Sequence, residues 1–250
     1  DDYIDGGLGS DTSSYTEKTV AVTVDFNANT ASTSTETDTL VSIENVLGGS
    51  AKDTFKMNED NVTNTIDGNG DIDTISYEYY ATNGVDVNLS TTSAQTVTAG
   101  DNDTILDIEN IIGSSQNDTF TGSSADNVIK AGDGNDIFIA GTDTDNNGTL
   151  DTWADDGSDT IDGGAGTGDW ADYSVIADDT NAGTNGIEVT LDSANEAEIT
   201  VRGQAGTDKI KNVEHINGTN DSDSIKGDTQ NNSLVGNDGN DILDGEAGID

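Results

Sequence analysis

Glycine recurs every nine residues near the end of the chain, and this spacing limits the possible folds more than any other feature. Taking glycine as position 1, consecutive nonads begin at Gly218, Gly227, Gly236 and Gly245. Position 6 is Asp or Asn in each nonad, and position 8 is a large aliphatic residue in the three complete ones. A fixed short period indicates a small unit that is stable only when stacked on copies of itself.

The same frame recurs upstream with less regular glycines. Position 6 is occupied by Asp11, Asp53, Asp73, Asp118, Asn127, Asp136 and Asp159, and in the last run by Asp223, Asn232, Asp241 and Asp250. Position 8 is occupied by Phe55, Ile75, Phe120, Ile129, Phe138, Ile161, Ile225, Leu234 and Leu243. We expect the position-8 side chains to form one buried inner stripe.

The chemistry of the nonad predicts an all-β protein. Glycine reaches the positive φ of a tight turn, and Asp and Asn are common in turns. The following Thr, Ile and Phe residues favour a strand of about three residues, which is too short to be stable alone. Two nonads then make one turn of an elongated parallel β-roll, or β-solenoid. Residues 18 apart, such as Asp118 and Asp136, are predicted to stack on one edge.

Charge adds a second constraint. The chain has 50 acidic and 8 basic residues among 250, a formal net charge of −42. Stacked strands lie about 4.8 Å apart, so a row of carboxylates at an edge repels itself unless cations lie between them. Calcium suits such a row because it prefers oxygen ligands. The absence of cysteine and the single histidine, His215, exclude thiolate and multi-histidine metal sites.

These nonads resemble the glycine-rich repeat G-G-x-G-x-D-x-U-x of RTX proteins, most densely at 113–139 and 218–250. The resemblance implies multiple bound Ca²⁺ ions, held by the position-6 side chain and by turn carbonyls. The residues carried over are Asp11, Asp53, Asp73, Asp118, Asn127, Asp136, Asp159, Asp223, Asn232, Asp241 and Asp250. Asp133 and Asp238, at position 3 of two nonads, are included as candidate ligands.

A separate acidic loop at 143–155 resembles the calcium loop of EF-hands. Asp143, Asp145, Asn147, the carbonyl of Thr149, and Asp151 match ligand positions 1, 3, 5, 7 and 9. Gly148 matches the invariant glycine. Ala154 stands where the family has a bidentate glutamate, and Asp155 is the candidate substitute. An acidic surface loop without metal is the alternative interpretation.

A longer repeat surrounds the nonads. The segments 38–48, 103–113 and 208–218 have one pattern and one length, and each follows a segment of alternating polarity, at 20–26, 84–90 and 186–192. We interpret residues 1–250 as one continuous array rather than separate domains. Its superrepeats span approximately 4–65, 66–160 (with the loop at 143–155) and 161–242, and a fourth begins at 243.

No catalytic constellation is visible in the sequence, and we expect no enzymatic activity. His215 occupies the place that Asn45 and Asn110 hold in the sister copies, which indicates a structural substitution. The tyrosines that precede the alternating segments, Tyr15, Tyr77 and Tyr173, are expected to pack at strand ends. We expect Trp153 and Trp170 to cap the solenoid or fill its core, with sugar stacking as the alternative.

The resemblance implies a calcium-binding structural segment of a large bacterial surface or secreted protein, such as an adhesin stalk or spacer. Such proteins pass unfolded through a type I exporter and fold outside the cell on binding calcium. One alternative is a self-assembling surface-layer or filament subunit. Another is a carbohydrate-binding or calcium-dependent accessory module of a secreted enzyme. The expected partners are calcium, copies of the chain or extracellular polysaccharide. The negative field excludes nucleic acid, and no apolar run is long enough for membrane insertion.

Overall fold

Short β-strands, stacked in parallel, make up the regular structure of the chain. The computed structural model describes residues 1–140, 157–176, 186–192, 195–202 and 206–250, and all regular structure in these ranges is β-strand. Most strands have three residues with a buried middle residue, as in β14, Thr119–Thr121. The predicted all-β roll is therefore confirmed.

The strands form one long sheet and two shorter ones. The long sheet has the order β1-β5-β4-β3-β7-β9-β13-β15-β17-β21-β20-β19-β23-β25. Its strands are β1 (Tyr3–Asp5), β3 (Thr23–Asp25), β4 (Thr30–Ser32), β5 (Thr37–Val41), β7 (Thr54–Lys56), β9 (Thr74–Ser76), β13 (Asn110–Ile112), β15 (Val128–Lys130), β17 (Thr160–Asp162), β19 (Ile187–Thr190), β20 (Ala197–Val201), β21 (Thr207–Lys211), β23 (Ser224–Lys226) and β25 (Ile242–Asp244).

The two shorter sheets follow one another opposite the long one. The first has the order β11-β12-β8-β6-β2, with β2 (Thr12–Ser14), β6 (Asn45–Leu47), β8 (Thr65–Asp67), β11 (Gln95–Thr98) and β12 (Asp101–Leu106). The second has the order β10-β14-β16-β18-β22-β24, with β10 (Asp86–Asn88), β14 (Thr119–Thr121), β16 (Ile137–Ile139), β18 (Trp170–Asp172), β22 (His215–Asn217) and β24 (Ser233–Val235).

The core lies between the facing sheets and is lined by the position-8 residues. Phe120 pairs in register with Phe138, and their rings stack with centroids 5.8 Å apart. The predicted stripe is buried for Phe55, Ile75, Phe120, Ile129, Phe138, Ile161 and Ile225. Leu234 is partly buried against the core. The expectation for Leu243 is wrong: it is 46% exposed, because β25 is the last strand of its sheet and is covered on one side only.

Antiparallel meanders interrupt the parallel stack, which the nonad pattern did not predict. The alternating segments supply their first strands, β3, β10 and β19. In the first meander β3 pairs with β4 and β4 with β5, both antiparallel. In the third, β19, β20 and β21 pair in the same way. Each of these two meanders adds three strands to the long sheet. Its first and last strands also pair in parallel with the neighbouring turns: β3 with β7 and β5 with β1, and β19 with β23 and β21 with β17.

The second meander belongs to the shorter sheets and not to the long one, and a side chain replaces part of its strand pairing. Strand β11 pairs antiparallel with β12. Toward β10, the Gln95 side-chain amide accepts the Asn88 N–H at 2.7 Å and donates to the Asn88 carbonyl at 2.9 Å. The Gln95 amide therefore makes the hydrogen bonds between β11 and β10 that backbone pairing would otherwise make, and the two shorter sheets remain separate.

Candidate metal sites at the turns

The position-6 side chains form ladders along the edges of the roll, as the 18-residue spacing predicts. Asp136 Oδ1 accepts the N–H of Asp118 at 2.8 Å. The ladder continues across the insertion, where Asp169 Oδ1 accepts the N–H of Asp136 at 2.8 Å although the two are 33 residues apart. In the last run, Asp241 Oδ1 accepts the N–H of Asp223 at 3.0 Å. One oxygen of each carboxylate therefore fixes the preceding turn, and the other is left for a further partner.

The ladders contain acidic residues that the sequence analysis did not assign to sites. Glu44, Glu109 and Glu214 accept the N–H groups of Asp11, Asp73 and Asp169 at 2.9, 2.8 and 3.1 Å. Asp38, Asp103 and Asp208, at the start of the long repeat, accept those of Asp2, Asn64 and Asp159 at 2.8, 2.8 and 3.1 Å. Aligning the three long repeats could have revealed them, because each repeat has its Asp and its Glu at the same places.

Five of the predicted turns close on themselves, and we call them closed turns. In each, the position-2 N–H donates to the position-6 side chain. The donor–acceptor pairs are Gly49–Asp53 at 2.5 Å, Ser114–Asp118 at 2.7 Å, Ser123–Asn127 at 2.6 Å, Thr219–Asp223 at 2.9 Å and Asp228–Asn232 at 2.8 Å. The chain itself satisfies these side chains, so they need no metal ion to complete their hydrogen bonds.

Other turns leave the second carboxylate oxygen buried without a hydrogen-bond partner, and we call them open turns. The oxygens are Oδ2 of Asp11, Asp73, Asp136 and Asp169. Asp169 was absent from the predicted ligands because its turn is one residue longer than the nonad. A buried anionic oxygen without a donor is costly, and a cation removes that cost.

Backbone conformation separates the two groups of turns. The open turns have positive φ at position 2, and those of Asp11, Asp73 and Asp136 also at position 4, as in Gly7 (85°) and Gly9 (128°), and Gly132 (109°) and Gly134 (141°). Position 2 of the closed turns is absent from the positive-φ residues. The C-terminal nonads have the open conformation, with Asn237 at 58° and Gly239 at 124° before Asp241 and Glu246 at 62° and Gly248 at 156° before Asp250.

The open turns fit calcium. A Cβ built on Gly132 would lie 2.1 Å from the Ser114 carbonyl oxygen, and one on Gly164 would lie 2.0 Å from that of Gly132. Only glycine therefore leaves room for the carbonyl oxygens of successive turns, which lie close to the carboxylates with unpartnered oxygens. In the described ranges no three His, Cys, Asp or Glu side chains form a group that could hold a metal. Any ion there must take most of its ligands from the backbone, and all are oxygens.

Electrostatics at the open turns favours a bound positive charge. Burial raises the pKa of Asp73 and of Asp136 to about 7, with further upward contributions from neighbouring carboxylates. Burial also raises the pKa of Asp169 to about 6. The ionised form of each is disfavoured, so a proton or a metal ion stabilises the site.

Four of the eight basic side chains lie at the ends of strands and not in the turns. Lys56, Lys130, Lys211 and Lys226 all occupy the last residue of a strand in the long sheet. Lys56 pairs with Glu78 at 2.6 Å and Lys211 with Asp162 at 3.6 Å, and both pairs are partly exposed. Such surface pairs contribute little stability and do not neutralise the buried ladder carboxylates.

His215 has the structural role that its position in the repeat indicates. Its Nδ1 accepts the Ser233 N–H at 3.0 Å. In the sister copies, Asn45 Oδ1 accepts from Thr65 and Asn110 Oδ1 accepts from Val128, both at 3.0 Å. Burial lowers the pKa of His215, which favours the neutral imidazole that this hydrogen bond requires.

Trp170 lies on the outer side of the second short sheet, contrary to the expectation that it caps the roll or fills its core. It is half-buried and its ring contacts His215, with centroids 4.8 Å apart. The tyrosines behave as expected, since Tyr15, Tyr77 and Tyr173 are buried. Asp133 and Asp238 are exposed, whereas Asp159 is buried. The predicted ligands Asp143, Asp145, Asn147, Thr149, Asp151 and Asp155, together with Trp153, lie outside the described residues.

Stacked glycine–aspartate turns with carboxylate and carbonyl oxygens around them define a β-roll of the calcium-binding type. A family model described as the RTX calcium-binding nonapeptide repeat (4 copies) matches residues 112–146, 153–168 and 217–250. These segments therefore carry calcium-binding nonapeptide repeats of the RTX type. The comparison with curated proteins gives no significant match. The described residues contain no helix that could span a bilayer.

Proposed function

We propose that the chain is a structural spacer of an extracellular bacterial protein, and that it folds when calcium fills its open turns. The observation that carries this proposal is the set of orphaned, buried carboxylate oxygens of Asp11, Asp73, Asp136 and Asp169. With a net charge of −42, the chain without cations opposes its own compaction. Calcium removes this repulsion where it is strongest, at the stacked edges.

The proposal implies a switch between compartments. Extracellular calcium modules bind with dissociation constants of about 10⁻⁴–10⁻³ M, so their sites are empty in the cytosol and filled outside. A chain that is unfolded inside the cell suits export before folding. RTX repeats occur in secreted bacterial proteins, which favours an extracellular location for this one.

Circular dichroism of the purified chain tests the proposal. We expect a disordered spectrum in excess chelator, a β-rich spectrum in millimolar calcium, and poor substitution by magnesium, which demands smaller and more regular sites. A β-rich spectrum in chelator, from protein that contains no calcium by elemental analysis, would contradict it.

A carbohydrate-binding role is the second candidate, and the position of Trp170 favours it. The indole shares the outer surface of the second short sheet with Ile137, which is exposed. Aromatic rings with an accessible face stack on sugars. Titration of neutral polysaccharide into the calcium-loaded protein should then quench tryptophan fluorescence, and Trp170→Ala should abolish the change. An unaltered signal excludes this role for Trp170.

We propose no catalytic role for the chain. Its single histidine accepts a backbone N–H through Nδ1 and contacts Trp170, so it is not placed as a general base. Turnover of a polysaccharide or peptide by the purified chain, lost on a point substitution within it, would overturn this proposal.

A further inference from the structure

Each meander pairs a buried tyrosine with a buried aspartate, and the third shows how such a pair is satisfied. The pairs are Tyr15 with Asp38, Tyr77 with Asp103, and Tyr173 with Asp208, all buried. In the first two the aspartate charge acts on the tyrosine, whose hydroxyl has no hydrogen-bond partner. In the third pair the Tyr173 hydroxyl donates to Asp208 Oδ2 at 2.6 Å. Asp208 Oδ1 accepts the Asp159 N–H, so both oxygens have donors from the chain.

The second meander differs because it contains an extra inward-facing acid. Asp101 lies two residues before Asp103 on the same side of β12, and the two are 1% and 0% exposed. The residue two places before Asp208 is Gly206, and the one two places before Asp38 is Glu36, which is partly exposed and pairs with Lys18. Two buried carboxylates in one strand are therefore particular to this meander.

Two tyrosines surround these carboxylates, and together we call the four residues the Tyr77 cluster: Tyr77, Tyr80, Asp101 and Asp103. The Tyr80 hydroxyl donates to Asp101 Oδ2 at 2.7 Å, and the Asn64 N–H donates to Asp103 Oδ1 at 2.8 Å. The rings of Tyr77 and Tyr80 meet edge to face with centroids 5.2 Å apart. Tyr77 and Tyr80 thus bring their hydroxyl groups to the acids of β12.

Three oxygens of the cluster are buried and have no hydrogen-bond partner while both acids are ionised: the Tyr77 hydroxyl, Asp101 Oδ1 and Asp103 Oδ2. A proton on one acid allows a hydrogen bond between Asp101 and Asp103. The third meander resolves the same tyrosine–aspartate contact with one direct hydrogen bond. Here the direct bond is absent, although the Asp103 and Asp101 charges act on Tyr77. The charge of Asp60 adds to those of both acids. In the described part of the chain, no basic side chain is named among the charges that act on these groups.

We infer that the Tyr77 cluster binds a divalent cation of the calcium class, held by Asp101 Oδ1, Asp103 Oδ2 and the Tyr77 hydroxyl oxygen. The donors are all oxygens, which select hard cations over zinc or copper. A single proton shared by the two acids serves at most two of the three oxygens. The site lies outside the nonads, so an experiment can disprove it without affecting the proposal that calcium binds at the open turns.

The electrostatics of the cluster supports this inference. Burial raises the pKa of Asp103 to about 7, with a further upward contribution from the Asp101 charge, and burial also raises the pKa of Asp101. A metal ion competes with the proton at such a group and is favoured as the pH rises. The ion would fasten β12 beside the junction of the two shorter sheets, where Gln95 replaces strand pairing.

Counting ions by native mass spectrometry at limiting calcium tests the site. Asp101→Asn should bind one ion fewer than the wild-type chain while keeping the calcium-loaded β spectrum. Tyr173→Phe is the matched control, because Tyr173 donates directly to Asp208, and its ion count should equal that of the wild type. Asp136→Asn, at an open turn, reports on the nonad sites independently.

Terbium provides a second readout at the same site. Tyr77 and Tyr80 adjoin the proposed ion, so tyrosine-sensitised terbium emission should fall in Asp101→Asn and in Tyr77→Phe relative to Tyr173→Phe. If Asp101→Asn fails to fold, Tyr77→Phe decides: the affinity of one ion should fall several-fold. An unchanged ion count and unchanged terbium emission in the folded variants overturn the inference and leave a shared proton between Asp101 and Asp103.

Discussion

Asp118 and Asp136 occupy the same position of adjacent turns, and the N–H of Asp118 donates to Asp136 Oδ1 at 2.8 Å. Their second oxygens differ. Asp118 Oδ2 accepts the Ser114 N–H at 2.7 Å, whereas Asp136 Oδ2 is buried without a partner. One turn is complete within the chain, and its neighbour lacks a ligand.

This difference predicts unequal effects of removing a carboxylate charge. Asp136→Asn keeps the Oδ1 acceptor but replaces the orphaned oxygen with an amide nitrogen, which cannot bind calcium. We expect the calcium midpoint of folding to rise by roughly tenfold, since affinity follows the charge and number of oxygen ligands. Circular dichroism during calcium titration measures it.

Asp118→Asn is the matched control. Asp118 Oδ1 accepts the Val85 N–H and Oδ2 accepts the Ser114 N–H, so the amide gives up one buried backbone hydrogen bond but no orphaned oxygen. Its calcium midpoint should therefore rise less than that of Asp136→Asn, since the closed turn takes its donors from the chain. Equal midpoints for the two variants would contradict the division into open and closed turns.

Two properties favour glycine at position 2 of an open turn: its tolerance of positive φ and its lack of a Cβ that would clash with the neighbouring turn. Substitutions at Gly7 and Gly132 separate the two effects. Gly132 has φ 109°, and a Cβ there would lie 2.1 Å from the Ser114 carbonyl oxygen. Gly7 has φ 85° with nothing within 4 Å of its Cβ position. Gly7→Ala should cost about 1–2 kcal/mol from backbone strain, and Gly132→Ala about 2–5 kcal/mol from strain plus the clash. Urea unfolding in saturating calcium measures both, and equal costs would show that close turn stacking is unimportant.

The stacked rings of the core predict a large effect at Phe138. This side chain is buried against Phe120, and Phe138→Ala should destabilise the calcium-loaded protein by about 3–5 kcal/mol. Leu243 has the same nonad position but is largely exposed, so Leu243→Ala should cost less than about 1 kcal/mol. A loss below about 0.5 kcal/mol for Phe138→Ala would place the core elsewhere.

His215 predicts a component of stability that depends on pH. Burial lowers its pKa in the folded state, so the unfolded chain binds this proton more tightly. Its contribution is therefore fully present above the pH at which the unfolded histidine titrates, about 6.5, and is lost as the pH falls from there through the lower pKa of the folded state. Protonation also removes the acceptor for the Ser233 N–H.

His215→Asn copies the sister residues and should remove this component. The variant and the wild type should differ in their change of unfolding free energy between pH 7.5 and pH 5.5, with the wild type losing more. This comparison cancels the carboxylates, whose raised pKa values act in the opposite direction. Parallel pH profiles for the two proteins would show that His215 stays neutral or is indifferent to charge.

The roll and its edges were predictable from the sequence because they depend on a local period. Nine residues set the turn, and 18 residues place Asp118 against Asp136. The meanders were not predictable in the same way. The segment around Val24 shows a strand of period two, but nothing local specifies that Val24 lies opposite Ala31 in one neighbour and Phe55 in the other.

The division of the turns could have been predicted only in part. Glycine at positions 2 and 4, as in Gly132 and Gly134, indicates the open conformation directly. Asn69 and Asp71 reach the same conformation at φ 70° and 75° without glycine, because Asn and Asp tolerate positive φ. The Tyr77 cluster was invisible in the sequence, since Asp101 and Tyr80 come together only through the meander.

The strand order of the meanders determines how the roll can unravel. In a plain stack the last strand is held on one edge, so turns can peel from the end one after another. Strands β5, β12 and β21 are different, since each is bonded on both edges, to an earlier strand and to its own meander. Peeling from the C-terminal side therefore stops when it reaches β21. The roll behaves as a few cooperative blocks rather than as a chain of independent turns, and local fraying at one end does not spread past the nearest meander.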